Sequence, residues 1–206
     1  MITFKLGDSE INILPIIKGL VSESEKVSKK IDGFDCVALA LGLEEIEILK
    51  TMDSQEWEYD PTNLDSVYAH HLKKFGEVNI PVPAFKTAID ICKEKGVEPF
   101  PLDMCDEEFT KMYCECVSTF DFLKEKKVLK KSMKTEFSDE SPEKFVLEWD
   151  ALINTLKGQY AVSLRREEYI AKQIKDLANY KKKILAIIEY ERVKGILIEL
   201  GVEYDM

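Results

Sequence analysis

A chain of 206 residues with 45% hydrophobic and 33% charged side chains is long enough for one α/β domain with a sizeable core, and its composition excludes a disordered or fibrous class. A formal net charge of −10 argues against general nucleic-acid binding, which needs clustered Lys and Arg, and disfavours attachment to an anionic membrane. No apolar run approaches the ~20 residues that span a bilayer, and Met1 leads into a strand-like ITFKL rather than a signal peptide, so the expected location is the cytoplasm.

Residues 2–6 alternate apolar and polar and end at Gly7, as a short strand does. Ile13, Ile16, Ile17, Leu20, Val27 and Ile31 then recur at helical spacing, with Pro15 tolerated in a first turn, and Asp32-Gly33 closes that helix. CVALALGL from Cys36 suits a strand buried on both faces. A short helix is expected over Glu44 to Met52, and DSQEWEYDPTNLD breaks the periodicity as a surface excursion before a helix near Val67 to Phe75.

Pro81 and Pro83 punctuate VNIPVPAF, after which Ala84, Ala88, Ile91 and Cys92 line one face of a helix ending at Gly96. VEPFPLD follows as a strand weakened by two prolines. Asp106-Glu107-Glu108 open a long helix towards Met133, whose lysine-rich far end reads as a solvated face. Further helices are expected over Phe145 to Leu156 and Leu164 to Leu177, with Gly158 interrupting between them. The stretch KILAIIEYERVKGILIEL supplies a buried strand over Ile184 to Ile188 and a helix from about Val193. Alternation at both ends around a helical middle predicts a single α/β domain over residues 1–206, with a mostly parallel sheet flanked by helices and a helical excursion over 106–160.

The five cysteines are scattered with no C-x-x-C pair, so reduced thiols are expected, and Cys114 and Cys116 diverge too far on a helix to share one metal. His70 and His71 are adjacent and diverge likewise.

Three segments together resemble the TraB family, the pheromone-shutdown proteins related to the Tiki peptidases, GumN and, more remotely, the erythromycin esterases. PAFKTAIDICKEKGVEPFPLDMCDEEFTKMY is similar to the family's helix, glycine, strand ending in Asp-Arg and threonine-bearing helix, with Asp103 at the aspartate and Met104 replacing the arginine. RREEYIAKQIKDL resembles its R-D-x-x-M-A-x-x-I helix, with Arg166 at the arginine and Glu167 at the aspartate. ERVKGI resembles the family's G-H-V-x-G-I, which puts Glu191 at a glycine, Arg192 at a histidine and keeps Gly195. By the same resemblance Gly7 begins a G-x-x-H whose histidine is Glu10, and Ala40 stands where a glutamate is usual.

The resemblance implies divalent-metal peptide hydrolysis, which needs imidazole or carboxylate ligands around an open position. This chain has lost the implied histidines and glutamate, and Arg192 cannot ligate because guanidinium has no free lone pair. The expectation is therefore a non-catalytic binding or assembly module with a protein or small-molecule partner, no cofactor and possible homo-oligomers. The alternative is a divergent metal-dependent hydrolase in which Glu10, Asp103 and Glu191 act and carboxylates hold Mg²⁺ or Mn²⁺. In either case the binding residues expected at the carboxyl edge of the sheet are Asp8, Arg166, Glu189 and Arg192, with the Glu189 to Arg192 turn near Gly7-Asp8.

Overall fold

The computed structural model describes residues 1–53, 62–79 and 82–203. The excursion expected from Asp53 to Asp65 and the Pro81 punctuation therefore lie largely outside the described residues. The protein is α/β, with a five-stranded, mostly parallel sheet in the order β1-β2-β5-β3-β4.

β1 (Ile2–Leu6) turns at Gly7-Asp8 into antiparallel β2 (Ser9–Ile16), and β2 pairs in parallel with β5 (Lys183–Glu189). The helical spacing read from Ile13 onward is thus corrected: that run is a strand, and the helix is confined to α1 (Glu23–Ser28). The reason is burial on both faces. Ile11, Ile13, Leu14 and Ile16 are all inside, and a doubly buried strand of β-branched residues shows apolar positions at any spacing. Pro15 is accommodated because the Glu10 N–H points to β5, by donating to the Lys182 carbonyl, so odd-numbered positions face β1. The β1 ladder ends at the Ile2–Ile13 pair, and the N–H that Pro15 lacks has no strand to meet there.

β3 (Cys36–Leu39) pairs with β5 on one side and with β4 (Phe100–Pro101) on the other. The expected strand VEPFPLD survives as those two residues alone, as its prolines would require. Between β3 and β4 run α2 (Leu43–Thr51), α3 (Asn63–Leu72) with a 3-10 turn over Lys73–Phe75, and α4 (Pro83–Glu94).

The helical excursion follows as α5 (Asp106–Cys116), α6 (Thr119–Ser132), α7 (Pro142–Ile153) and α8 (Lys157–Leu177), and α9 (Tyr190–Leu200) closes the described fold. The single helix expected from Asp106 to Met133 is broken at Val117-Ser118, where the Asp121 carboxylate takes both the N–H and the hydroxyl of Ser118 and starts a new helix. Conversely, Gly158 does not interrupt. It lies in the first turn of α8, where a side chain would press on the Cys116 carbonyl and Val117.

β5 is buried from Ile184 to Glu189, and its covering helices form two separate pairs, α1 with α4 and α8 with α9. A central strand buried on both faces needs one pair on each. The main core lies between these layers, and a second cluster of Tyr68, Leu72, Phe137, Phe145 and Val146 sits under the excursion. Among the described residues no helix is long and apolar enough to cross a membrane.

Candidate functional site

In an open α/β sheet the natural crevice lies beyond the carboxyl ends of the strands, where adjacent strands send their connections to opposite faces. Here β3 leads towards the α4 face and β5 leads into α9 on the other, so the crevice falls between them. A cleft of about 300 Å³ opens at that place. Ala40 and Leu41 after β3, Asp103 and Met104 after β4, Glu189 ending β5 and Lys18 after β2 all line it. Val82, Phe85 and Phe109 give an apolar wall, and Glu45, Asp106 and Arg166 complete the lining.

Arg166 enters from α8. Its Nε donates to Asp103 Oδ2 at 2.7 Å, while Nη2 lies 2.5 Å from the same oxygen and 3.7 Å from Glu189 Oε1. Burial works against the guanidinium charge, but Asp103, Glu189 and Glu45 outweigh it and hold the pKa above its ordinary value.

The carboxylates around Arg166 differ in what occupies them. Asp103 Oδ1 accepts the Met104 N–H at 2.8 Å, so both of its oxygens are engaged. Glu45 Oε2 accepts the Gly42 N–H at 2.8 Å and closes the start of α2; burial raises its pKa, against the pull of that N–H. Glu189 is different. It is 7% exposed, and its Oε2 has no hydrogen-bond donor among the described residues.

Two close approaches fix the walls. A Cβ on Gly42 would collide with the Met104 carbonyl, so the loops after β3 and β4 meet backbone to backbone. Lys18 is held in place through its carbonyl, which accepts the Tyr68 hydroxyl at 3.1 Å, and its ammonium stands 3.7 Å from Asp65.

Behind the cleft, the expected Glu189 to Arg192 turn is instead helix, since α9 begins at Tyr190 directly after Glu189. Arg192 points into the packing of α9 against α7 and α8, with Nη1 2.8 Å from Glu167 Oε1 and Nη2 on Asp150. Burial lowers its pKa to about 10, which still leaves it charged at neutral pH. Glu167 in turn lies flat over Gly195, where any Cβ would strike the carboxylate. Among the described residues the Glu191 carboxyl has an oxygen with no donor, and burial, then the neighbouring Glu189 charge, pushes its pKa up to about 7.

Of the residues singled out in the sequence, Asp103, Arg166 and Glu189 come together in the cleft, and Glu191 and Arg192 stand behind it in α9. Asp8 and Glu10 do not join them, which corrects the expected convergence. Glu10 pairs with Lys183 at the start of β5 and Ile16 with Glu189 at its end, so Glu10 sits at the amino edge, about 20 Å away at ~3.3 Å per residue. Asp8 is likewise beside Lys182. Lys18 and Glu45 were missed: Lys18 fell inside the supposed helix, whereas Glu45 could have been found as the third residue of a helix whose N-cap it closes.

Among the described residues no three His, Cys, Asp or Glu side chains gather to hold an ion; Glu10 lies at the amino end of β2 and Arg192 in a buried ion pair. His71 Nε2 donates to the Ser132 carbonyl at 3.0 Å, and its ring meets Phe137 edge-on with centroids 4.9 Å apart. The five cysteines are all free, and burial pushes the Cys36 thiol up to about 11, far from the nucleophilic range. No family model, curated protein or solved structure matches the chain.

Proposed function

We propose that the chain is a non-catalytic binding module on a TraB-like scaffold, whose switch-point cleft takes a small organic cation, an ammonium or guanidinium on a short apolar stem. The observation that carries this is the Glu189 carboxylate, buried in the cleft lining with one oxygen lacking a donor among the described residues. An unmet buried acceptor costs roughly 1–3 kcal/mol, which a cationic donor would return. The terminal torsion of a glutamate is broad, so the carboxylate can turn that oxygen towards a ligand.

Charge and shape support the same ligand class. Glu45, Asp103, Asp106 and Glu189 outnumber Lys18 and Arg166 around the cleft, and Val82, Phe85 and Phe109 would receive an apolar stem.

Isothermal titration with agmatine and arginine, set against citrate and phosphate, tests the proposal. Agmatine should bind, and Glu189→Gln should weaken it at least about tenfold, the loss of one charge-assisted hydrogen bond, while the fold is retained. Binding of citrate in place of agmatine would reverse the assigned charge, and heat from none of the four would remove the small-molecule role.

The carboxylate-based hydrolase rests on one specific observation, that Glu45, Asp103 and Glu189 face the same cleft. Peptide hydrolysis that requires added Mn²⁺ or Mg²⁺ and disappears in Asp103→Asn would favour it over the binding module.

A further inference from the structure

Away from the cleft, α6 presents an unusual surface. Phe120, Leu123 and Phe122 are 73%, 59% and 49% exposed, and Lys124, Lys126, Lys127, Lys130 and Lys131 on the same helix are all exposed. α6 rests on α3 and α7, with Asp121 and Ser132 as its buried residues. At ~100° per residue, Phe120, Leu123, Lys124, Lys127 and Lys131 fall on one face. Asp121, Glu125 and Ser132 fall on the other, so the two acidic residues of the helix are turned away from that face.

We propose that this face of α6 docks on an anionic lipid surface, with the Phe120 ring and Leu123 entering the headgroup boundary and the lysines reaching lipid phosphates and carboxylates around them. The net charge of the chain disfavours such attachment, but charges beyond about 8–10 Å are screened at physiological salt, so the local sign decides. Locally the sign is positive in a chain whose formal net charge is −10.

The interspersion of rings and lysines selects lipid over a protein partner. Protein interfaces are depleted in lysine at their centres, because each long ammonium must be desolvated there. At a bilayer surface the same arrangement is favourable: lysine stems lie along the apolar layer with their ammonium groups among anionic headgroups, and rings fill the boundary.

Co-sedimentation with vesicles of phosphatidylcholine, with and without phosphatidylserine, is the test at about 0.1 M salt. The full chain should sediment with the phosphatidylserine vesicles, release at high salt and ignore pure phosphatidylcholine. Replacing Lys124, Lys127 and Lys131 by Gln should weaken partitioning about a hundredfold, about fivefold per lysine, and Phe120→Ser should weaken it further. These side chains are exposed, so melting curves of the variants should overlay the wild type.

Equal binding to both vesicle types, or unchanged binding by the lysine variant, would overturn the proposal. So would no lipid binding together with capture of polyglutamate, which would make this a site for an acidic protein segment. A concentration-dependent dimer in light scattering that Phe120→Ser abolishes would overturn it in favour of a second copy of the chain.

Discussion

The Glu167 carboxylate lies against the α-carbon of Gly195, in the space a side chain would take, and from there its Oε1 reaches Arg192 Nη1 at 2.8 Å. One missing Cβ thus permits one buried ion pair. Gly195→Ala should push the carboxylate off Arg192 and leave that guanidinium with Asp150 alone. The expected loss is on the order of 1–3 kcal/mol, the cost of a buried charged group losing a partner, read from urea unfolding. A variant as stable as the parent would mean that Glu167 relaxes without loss and that the close approach is incidental.

Arg166 is the cation for Asp103 and Glu189, so Arg166→Ala should leave both carboxylates in the cleft without it. Breaking a fully buried pair costs roughly 3–5 kcal/mol, and the 25% exposure of the Arg166 side chain reduces the expected loss to about 2 kcal/mol. Adding Asp103→Asn should recover part of that loss. Additive effects in the double-mutant cycle would show that the two side chains are not coupled.

The pKa of Glu191 is raised from 4.5 to about 7 in the folded chain, by burial first and the Glu189 charge second. Between those values the folded state holds a proton that the unfolded state has lost, so this group's contribution falls as pH rises through that window. The slope is on the order of 1 kcal/mol per pH unit inside the window. Glu191→Gln should therefore raise the melting temperature above about pH 7 and flatten its decline with pH, and thermal melts across that range in both proteins decide the matter.

Gly42 has an ordinary extended backbone, φ −72° and ψ 166°, so Gly42→Ala tests contact alone and not conformational freedom. The added methyl should force the Met104 carbonyl back and part the loops that follow β3 and β4. Stability should fall, and agmatine affinity should fall more than in an equally destabilised variant remote from the cleft. Equal falls would place the cleft's shape elsewhere.

The parts of the fold written in local chemistry were legible. β5 with α9, β3 and the α4 helix follow from apolar runs bounded by glycine, proline and charge. What misled was period: β2, buried on both faces, offers isoleucines at helical intervals by coincidence, and only its pairing partners decide between strand and helix. That single error moved Lys18 out of view and made Glu10 look like a strand-end residue of the site. Asp103 and Arg166 were visible as separate motifs, but nothing local reveals that α8 carries one onto the other across 63 residues of chain. The break at Ser118 was readable, since Ser-x-x-Asp is a helix-starting pattern.

β5 is the last strand of the described chain and yet the middle of the sheet, with Ile184 between Ile11 of β2 and Cys36 of β3. Until it is synthesised, β2 and β3 have no common neighbour, and their inner edges expose unpaired backbone and isoleucine side chains. The sheet therefore closes by contacts of very high sequence separation, the kind that slows folding and lengthens the time an aggregation-prone precursor survives. A circular permutant that joins the far terminus to Met1 and opens the chain just before β5 would bring this strand to the front of translation, where β2 could pair with it as soon as it emerged. Faster refolding and a higher soluble yield from such a permutant are what this strand order entails.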